Sequence, residues 1–200
     1  MALALTLVTD RRRLPPGRTL PALAAEAAAA GIERVQVREK DMDGGPLLAL
    51  VSAVAAALAG SGTALVVNGR PDLAERAGAM GVQLPADGLS VDGVRRAFPS
   101  LAIGASCHSR DDALRAQERG ADWIVFGPVL STPGKESRAA GLDALAAVAA
   151  AVRLPVHAVG GLRPEHARDV AAAGAAGILA IRAFLETPLA GAAAAFRVRS

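Results

Sequence analysis

The stretch that decides the fold runs from Leu101-Ala-Ile-Gly-Ala-Ser-Cys-His-Ser109, through Arg110 to Arg119, and on to Gly120-Ala-Asp-Trp-Ile-Val-Phe126. It opens with a short apolar run, Leu101-Ala-Ile-Gly104. Ser109 follows where a helix N-cap belongs, directly before Arg110-Asp-Asp, and Gly120 stands where a helix C-cap belongs. A second apolar run, Trp123-Ile-Val-Phe126, closes the unit. Two strands joined by a helical crossover lie parallel in one sheet.

The same unit repeats outward in both directions. Further short runs are Ala4-Leu-Thr-Leu-Val8, Arg34-Val-Gln-Val-Arg38, Ala64-Leu-Val-Val-Asn68, Gly81-Val-Gln-Leu84, Pro155-Val-His-Ala-Val159 and Gly177-Ile-Leu-Ala-Ile181. Between runs lie segments rich in helix formers: Leu20 to Ala30, Leu47 to Ala59, Leu142 to Val152 and Pro164 to Ala173. Gly31, Gly60 and Gly174 follow such segments as C-caps, and Pro164 sits near a helix start. About eight strand–helix units in this length predict a (β/α)₈ TIM barrel, a single compact domain over residues 1–200. The competing architecture is a doubly wound open sheet. Its dinucleotide version is disfavoured, because the first run ends Val8-Thr-Asp-Arg11 with no Gly-x-Gly-x-x-Gly turn.

Composition supports a folded core and narrows the partners. The chain is 52% hydrophobic and carries 22 basic against 19 acidic residues, a net charge of only +3. With no Tyr, one Trp and no basic block beyond Arg11-Arg12-Arg13, stacking platforms for nucleic acid are scarce, and no nucleic-acid partner is expected. No apolar run is long enough to span a membrane. The apolar N-terminus lacks a basic leader and reads as a first strand rather than a signal peptide. Cys107 is alone, which fits a reducing, cytoplasmic setting. It reads as a small buried residue, because neighbours on an extended segment point to opposite sides and His108 takes the other side.

In a barrel the active site lies at the C-terminal ends of the strands. The residues there are Thr9 and Asp10; Arg38 and Lys40; Asn68 and Gly69; Gln83 and Pro85; Ser106 and His108; Gly127 with Ser131, Thr132 and Lys135; Gly160 and Gly161; and Arg182 and Ala183. This polar, cationic and glycine-rich set suits a small anionic ligand. The chain has two lysines, Lys40 and Lys135, and both fall in predicted strand-end loops. Gly160-Gly161 and the turn at Arg182-Ala183 follow strands seven and eight, where barrels often hold phosphate on backbone amides. His108, an imidazole able to exchange a proton near neutral pH, is the candidate acid–base residue. His157 reads as a satisfied lumen histidine and His166 as a surface one. No His/Cys/Asp/Glu cluster has the spacing of a structural metal site.

Taken in order, Leu7-Val-Thr-Asp10, Val35-Gln-Val-Arg-Glu-Lys40, Val66-Val-Asn-Gly-Arg70, Gly81-Val-Gln-Leu84, Gly104-Ala-Ser-Cys-His-Ser109, Gly120-Ala-Asp-Trp-Ile-Val-Phe-Gly-Pro128, Ser131 to Lys135 and Ala158-Val-Gly-Gly161 resemble the thiamine phosphate synthase/TenI superfamily. The resemblance implies one of two activities. Synthases join hydroxymethylpyrimidine diphosphate to thiazole phosphate with Mg²⁺. TenI-type thiazole tautomerases aromatise the ylidene thiazole carboxylate phosphate by a proton shift and need no cofactor.

In the synthases the counterpart of Asn68-Gly69 usually reads Asn-Asp, and a second metal-binding Asp corresponds to Gly88. Glycine offers no oxygen ligand to Mg²⁺. Asp72 and Asp87 are the nearby carboxylates that could compensate. Gly81-Val-Gln-Leu-Pro85 and Cys-His-Ser109 also resemble the tautomerase branch. The expectation is therefore a thiazole tautomerase, an isomerase with no metal and no cofactor. His108 would be catalytic, with Arg38, Lys40, Asn68, Ser106, Thr132, Lys135, Gly160, Gly161, Arg182 and Ala183 binding the phosphorylated thiazole. The alternatives are thiamine phosphate synthase, with Mg²⁺, and a non-catalytic regulator that binds thiazole phosphate. Gln36, Arg38, Lys40, Thr132 and Lys135 keep much of the synthases' diphosphate-binding pattern. The resemblance also suggests a homodimer.

Overall fold

The computed structural model describes residues 3–131, 139–185 and 188–198. Its strands are β1 (Ala4–Val8), β2 (Arg34–Val37), β3 (Ala64–Asn68), β4 (Gly81–Leu84), β5 (Ala102–Cys107), β6 (Trp123–Phe126), β7 (Val156–Val159) and β8 (Gly177–Ala180). They pair in sequence order, all parallel, and β8 closes on β1 with Ala4 opposite Gly177 and Leu7 opposite Ala180. The (β/α)₈ barrel is therefore the architecture, and the open sheet is excluded.

The crossovers are α1 (Leu20–Ala29), α2 (Gly44–Leu58), α3 (Pro71–Arg76), α4 (Val91–Ala97), α5 (Arg110–Glu118), α6 (Leu142–Ala151) and α7 (Ala167–Ala172), with α8 (Arg182–Leu185) and α9 (Leu189–Val198) after the last strand. Ser109 caps α5 as expected, its hydroxyl accepting from the Asp112 amide at 3.1 Å. Two expectations shift. Strand β5 runs on from the expected apolar run to Cys107, because Ser106 and Cys107 pair in register with Val125 and Phe126 although small residues give no branched signal. The helix expected from Pro164 splits into a 3₁₀ turn, Pro164–His166, and the short α7.

Alternation along each strand sorts the side chains into two cores. On β5, Ile103, Ala105 and Cys107 join the outer core between sheet and helices. A smaller cluster of Val8, Val66, Trp123, Val125 and Leu179 fills the barrel lumen. The rest of the lumen is polar: Thr6, Gln36, Gln83 and His157 are buried there. A cavity of about 10 Å³, near the room one water molecule needs, is lined by Thr6, Arg34, Gln36, Val66, Gln83, Trp123 and Leu179. The Thr6 hydroxyl oxygen is buried with no partner among the described residues.

His157 is a lumen histidine, but only half satisfied. Its Nε2 accepts from Arg34 Nη1 at 3.1 Å, while its Nδ1 is buried without a partner among the described residues. Gly177 makes room for the ring, since a Cβ there would lie 2.4 Å from His157 Nδ1 and from the Ala4 carbonyl oxygen. Burial, reinforced by the Arg34 charge, pushes the His157 pKa down from 6.5 to about 4. The folded protein therefore resists a proton that the unfolded chain accepts. The His157 contribution is complete above about pH 6.5 and is lost as pH falls toward 4, on the order of 3 kcal/mol in all. Urea unfolding of the wild type should show that loss across this interval, and His157→Gln should flatten it; equal slopes for the two proteins would refute the assignment.

Candidate active site

Closure of the barrel brings all eight strand ends to one rim. Alternation on β5 turns Gly104, Ser106 and His108 toward the barrel axis, while Cys107 stays in the outer core, and burial pushes its thiol pKa up to about 12. Cys107 is thus a packing residue, and a Cys-His nucleophile is excluded. His108 is exposed at the rim. Its Nδ1 lies 2.6 Å from the Gly127 carbonyl, an acceptor only, so Nδ1 carries the proton and Nε2 presents a lone pair in the neutral ring.

The ends of β1 and β2 are stapled together by Thr9, expected at a strand end, and by Glu39, Arg11 and Asp41, to which the sequence assigned no role. The Thr9 hydroxyl donates to Glu39 at 2.6 Å and accepts from the Arg38 amide at 3.0 Å. Glu39, buried at 6% exposure, also accepts from the Arg11 amide and from Arg11 Nη1 at 3.1 Å. Arg11 forks onto Asp41 with two contacts of 2.6 Å, and Arg12 adds a third at 3.0 Å. The hydrogen bonds and charge of Arg11 and Arg12 hold the Asp41 carboxyl well below its ordinary range. The only sequence signal for this staple was the alternation Arg38-Glu-Lys40, an acid between two cations.

The staple leaves a rim of free positive charge. Asp10 is engaged by Arg13 at 3.0 Å, and Asp72 by a two-point fork from Arg70 at 2.8 and 2.6 Å. Arg38, Lys40 and Arg182 make no ion pair among the described residues. Asn68 ends β3, its register partner Gln83 lies in the lumen, and Ser106 stands half-buried near the top of β5. Thr132 and Lys135 lie outside the described residues.

Gly160 and Gly161 adopt φ of +99° and +66° at the end of β7. Their role is partly internal. A Cβ on Gly160 would lie 2.5 Å from Pro128 Cβ, and one on Gly161 2.5 Å from the Ser131 carbonyl oxygen, because the loop after β6 packs against them. That loop is held by hydrogen bonds from Val129 to Val159 at 2.8 Å and from Leu130 to Gly160 at 3.0 Å.

The site offers a poor cradle for a divalent metal. No group of three or more His, Cys, Asp or Glu among the described residues is arranged to hold one. Gly69 and Gly88 contribute no side chain, and Asp72, which could have compensated, is occupied by Arg70. Asp87 is exposed and belongs to no group of three or more such residues among those described. No helix among the described residues is long and apolar enough to cross a membrane.

A closed parallel barrel with its uncommitted polar groups on the C-terminal rim places the chain among (β/α)₈-barrel proteins that work at that rim. Residues 5–184 match the family described as thiamine monophosphate synthase, and the chain belongs to that family. It is 40% identical over 188 residues to a putative thiamine-phosphate synthase of Geobacter sulfurreducens, covering 92% of this chain and 88% of that one. A thiamine-phosphate synthase of Methanoculleus marisnigri is likewise 40% identical, over 186 residues and the same shares. Among solved structures, thiamine phosphate pyrophosphorylase from Pyrococcus furiosus superposes with a TM-score of 0.89 at 29% identity, covering 98% of this chain and 94% of that one.

These likenesses correct the expectation of a thiazole tautomerase. Relatives that match nearly end to end are named as synthases, so the isomerase assignment falls, and so does the non-catalytic regulator. The missing carboxylates at Gly69 and Gly88 and the motifs Gly81-Val-Gln-Leu-Pro85 and Cys-His-Ser109 thus do not mark a tautomerase in this chain. His108 does not discriminate, because a rim imidazole is compatible with either chemistry.

The staple generates a prediction. Glu39→Gln should cost about 1.5–3 kcal/mol of stability, since a buried charged acceptor of several hydrogen bonds is replaced by a group that cannot accept them all. Thermal or urea unfolding checks this, and a change below about 0.5 kcal/mol, the range of ordinary surface substitutions, would show the staple to be incidental.

Proposed function

We propose that the protein is a thiamine phosphate synthase, joining hydroxymethylpyrimidine diphosphate to thiazole phosphate. The observation that carries this reading is the 40% identity to proteins named thiamine-phosphate synthase over about nine-tenths of this chain. In the reaction a bond forms between the thiazole ring and the pyrimidine's methylene carbon while the carbon–oxygen bond to the diphosphate breaks. Pyrophosphate leaves. Both reactants are anionic, so the site must gather negative charge and stabilise more of it on the leaving group.

The free cations of the rim suit that task. Arg38 and Lys40 sit side by side on the stapled end of β2, where Thr9 and Glu39 fix the backbone between them. In this reading they receive the diphosphate; Thr132 and Lys135, the other hydroxyl and cationic candidates, lie outside the described residues. The amides of Gly160, Gly161 and Ala183 and the Arg182 side chain receive the thiazole phosphate at the ends of β7 and β8. Asn68 and Ser106 orient the ring systems between them. His108 Nε2, its lone pair directed by the bond from Nδ1 to Gly127, accepts a hydrogen bond or a proton at the rim.

Synthases of this superfamily use Mg²⁺, and the described carboxylates of this chain do not fit it. Charge neutralisation is assigned here first to the cationic side chains of the rim. Mixing the two substrates with pure protein should yield thiamine phosphate and pyrophosphate in equal amounts. Arg38→Ala or Lys40→Ala should raise the KM for the pyrimidine diphosphate tenfold or more, about 1.4 kcal/mol, as expected for a charge-assisted contact. Failure of the wild type to form thiamine phosphate would overturn the reading.

A further inference from the structure

Below the rim, the lumen wall holds a line of polar contacts that substrate binding at the mouth does not itself explain. Trp123 Nε1–H donates to Gln83 Oε1 at 2.9 Å, and Gln83 Nε2 donates to Ser106 Oγ at 3.0 Å. An indole N–H can only donate, so it decides which end of the Gln83 amide faces it. The oxygen turns to Trp123 and the NH₂ group to Ser106. Ser106 Oγ thus receives a hydrogen and keeps its own O–H to give. With Gln83 at 2% exposure and Trp123 at 5%, bulk water has no access with which to reverse that order.

The line is fenced on both sides. A Cβ on Gly104 would lie 2.2 Å from Trp123 Cε2 and Nε1 and 2.3 Å from Gln83 Oε1, so the contact exists only because residue 104 has no side chain. On β2, the Arg34 guanidinium lies 5.2 Å from the centre of the indole ring, a cation–π contact that helps hold it in place. Residues from four strands, Arg34, Gln83, Gly104 and Trp123, converge on the orientation of one hydroxyl.

We propose that Trp123 and Gln83 are positioning residues that lock Ser106 as a hydrogen-bond donor to the substrate, so that the reactant seated over β5 presents an acceptor there, either a phosphate oxygen or an unprotonated ring nitrogen. The identity of the two reactants rests on the synthase reading; the polarity of Ser106 does not. Gln83→Glu tests it with almost no change of shape. At pH 8 the carboxylate accepts from Trp123 and from Ser106 together, which turns the Ser106 proton away from the substrate. Gln83→His keeps the acceptor-then-donor order, because one ring nitrogen can accept from Trp123 while the other donates to Ser106.

Steady-state rates of thiamine phosphate formation, with each substrate varied in turn, show which reactant supplies the acceptor. The expected result is a KM for one substrate raised at least tenfold in Gln83→Glu, with kcat changed less than threefold and most of the loss recovered in Gln83→His. Ser106→Ala should show the same KM, and adding Gln83→Glu to it should cost nothing further, as for two residues acting through one contact. A second readout needs no turnover. Trp123 is the only tryptophan, so its indole N–H gives a single nitrogen–proton signal, which should move when either the pyrimidine diphosphate or the thiazole phosphate is added to wild type and stay still in Ser106→Ala. The proposal is overturned if Gln83→Glu matches wild type, if its loss multiplies with that of Ser106→Ala, or if the wild-type indole signal ignores both substrates. If Gln83→Glu does not fold, the indole signal of wild type against Ser106→Ala decides alone. An indole response without thiamine phosphate formation would leave the relay standing and overturn the synthase reading instead.

Discussion

The closure of β8 onto β1 encloses a set of polar side chains in the barrel lumen, which pair with the wall or, like Thr6 Oγ1 and His157 Nδ1, go without a partner among the described residues. That constraint organises the rest of the molecule. Arg34, half-buried, leans on the Trp123 ring and on His157. His157 stays neutral as a consequence, and the room for its ring is provided by the bare Cα of Gly177. Higher in the same lumen, Trp123 fixes Gln83 and Gln83 fixes Ser106. The floor of the mouth is therefore a hydrogen-bonded surface with a defined direction.

The rim obeys a complementary rule. Arginines consume the nearby carboxylates at Asp10, Glu39, Asp41 and Asp72, while Arg38, Lys40 and Arg182 keep their charge uncommitted among the described residues. A small phosphorylated ligand meets positive charge on flexible side chains and finds few carboxylates to repel it. The same pairing occupies Asp72, one of the two carboxylates that could have compensated for Gly69 and Gly88 as a metal ligand.

The architecture was legible in the sequence because strands and crossovers announce themselves through period and punctuation. The runs at Ala4–Val8, Ala64–Asn68, Gly81–Leu84 and Trp123–Phe126 stand as strands with the expected bounds. Cys107 and His108 fall on opposite sides of β5, as alternation requires. Pairings between residues distant in sequence were not legible. Nothing local marks Thr9 as the bridge between Arg38 and Glu39, about thirty residues away, or Trp123 as the group that orients Gln83. Gly104 and Gly177 look like ordinary strand glycines until the rings beside them are placed. The choice of reaction failed for a related reason: a missing side chain at Gly69 or Gly88 says what a site lacks, whereas the free cations that could do similar work become visible only once their neighbours are paired off.

The central claim is that the C-terminal rim, with Arg38 and Lys40 after β2 and Gly160, Gly161 and Arg182 after β7 and β8, is where the two phosphorylated reactants meet. A crystal structure with the products thiamine phosphate and pyrophosphate bound together tests it most directly. The account predicts pyrophosphate against Arg38 and Lys40, the thiamine phosphate group on the glycine side, and Ser106 donating to one of the two. Products seated away from this rim, or a pyrophosphate held by a metal on carboxylates rather than by these cations, would contradict it.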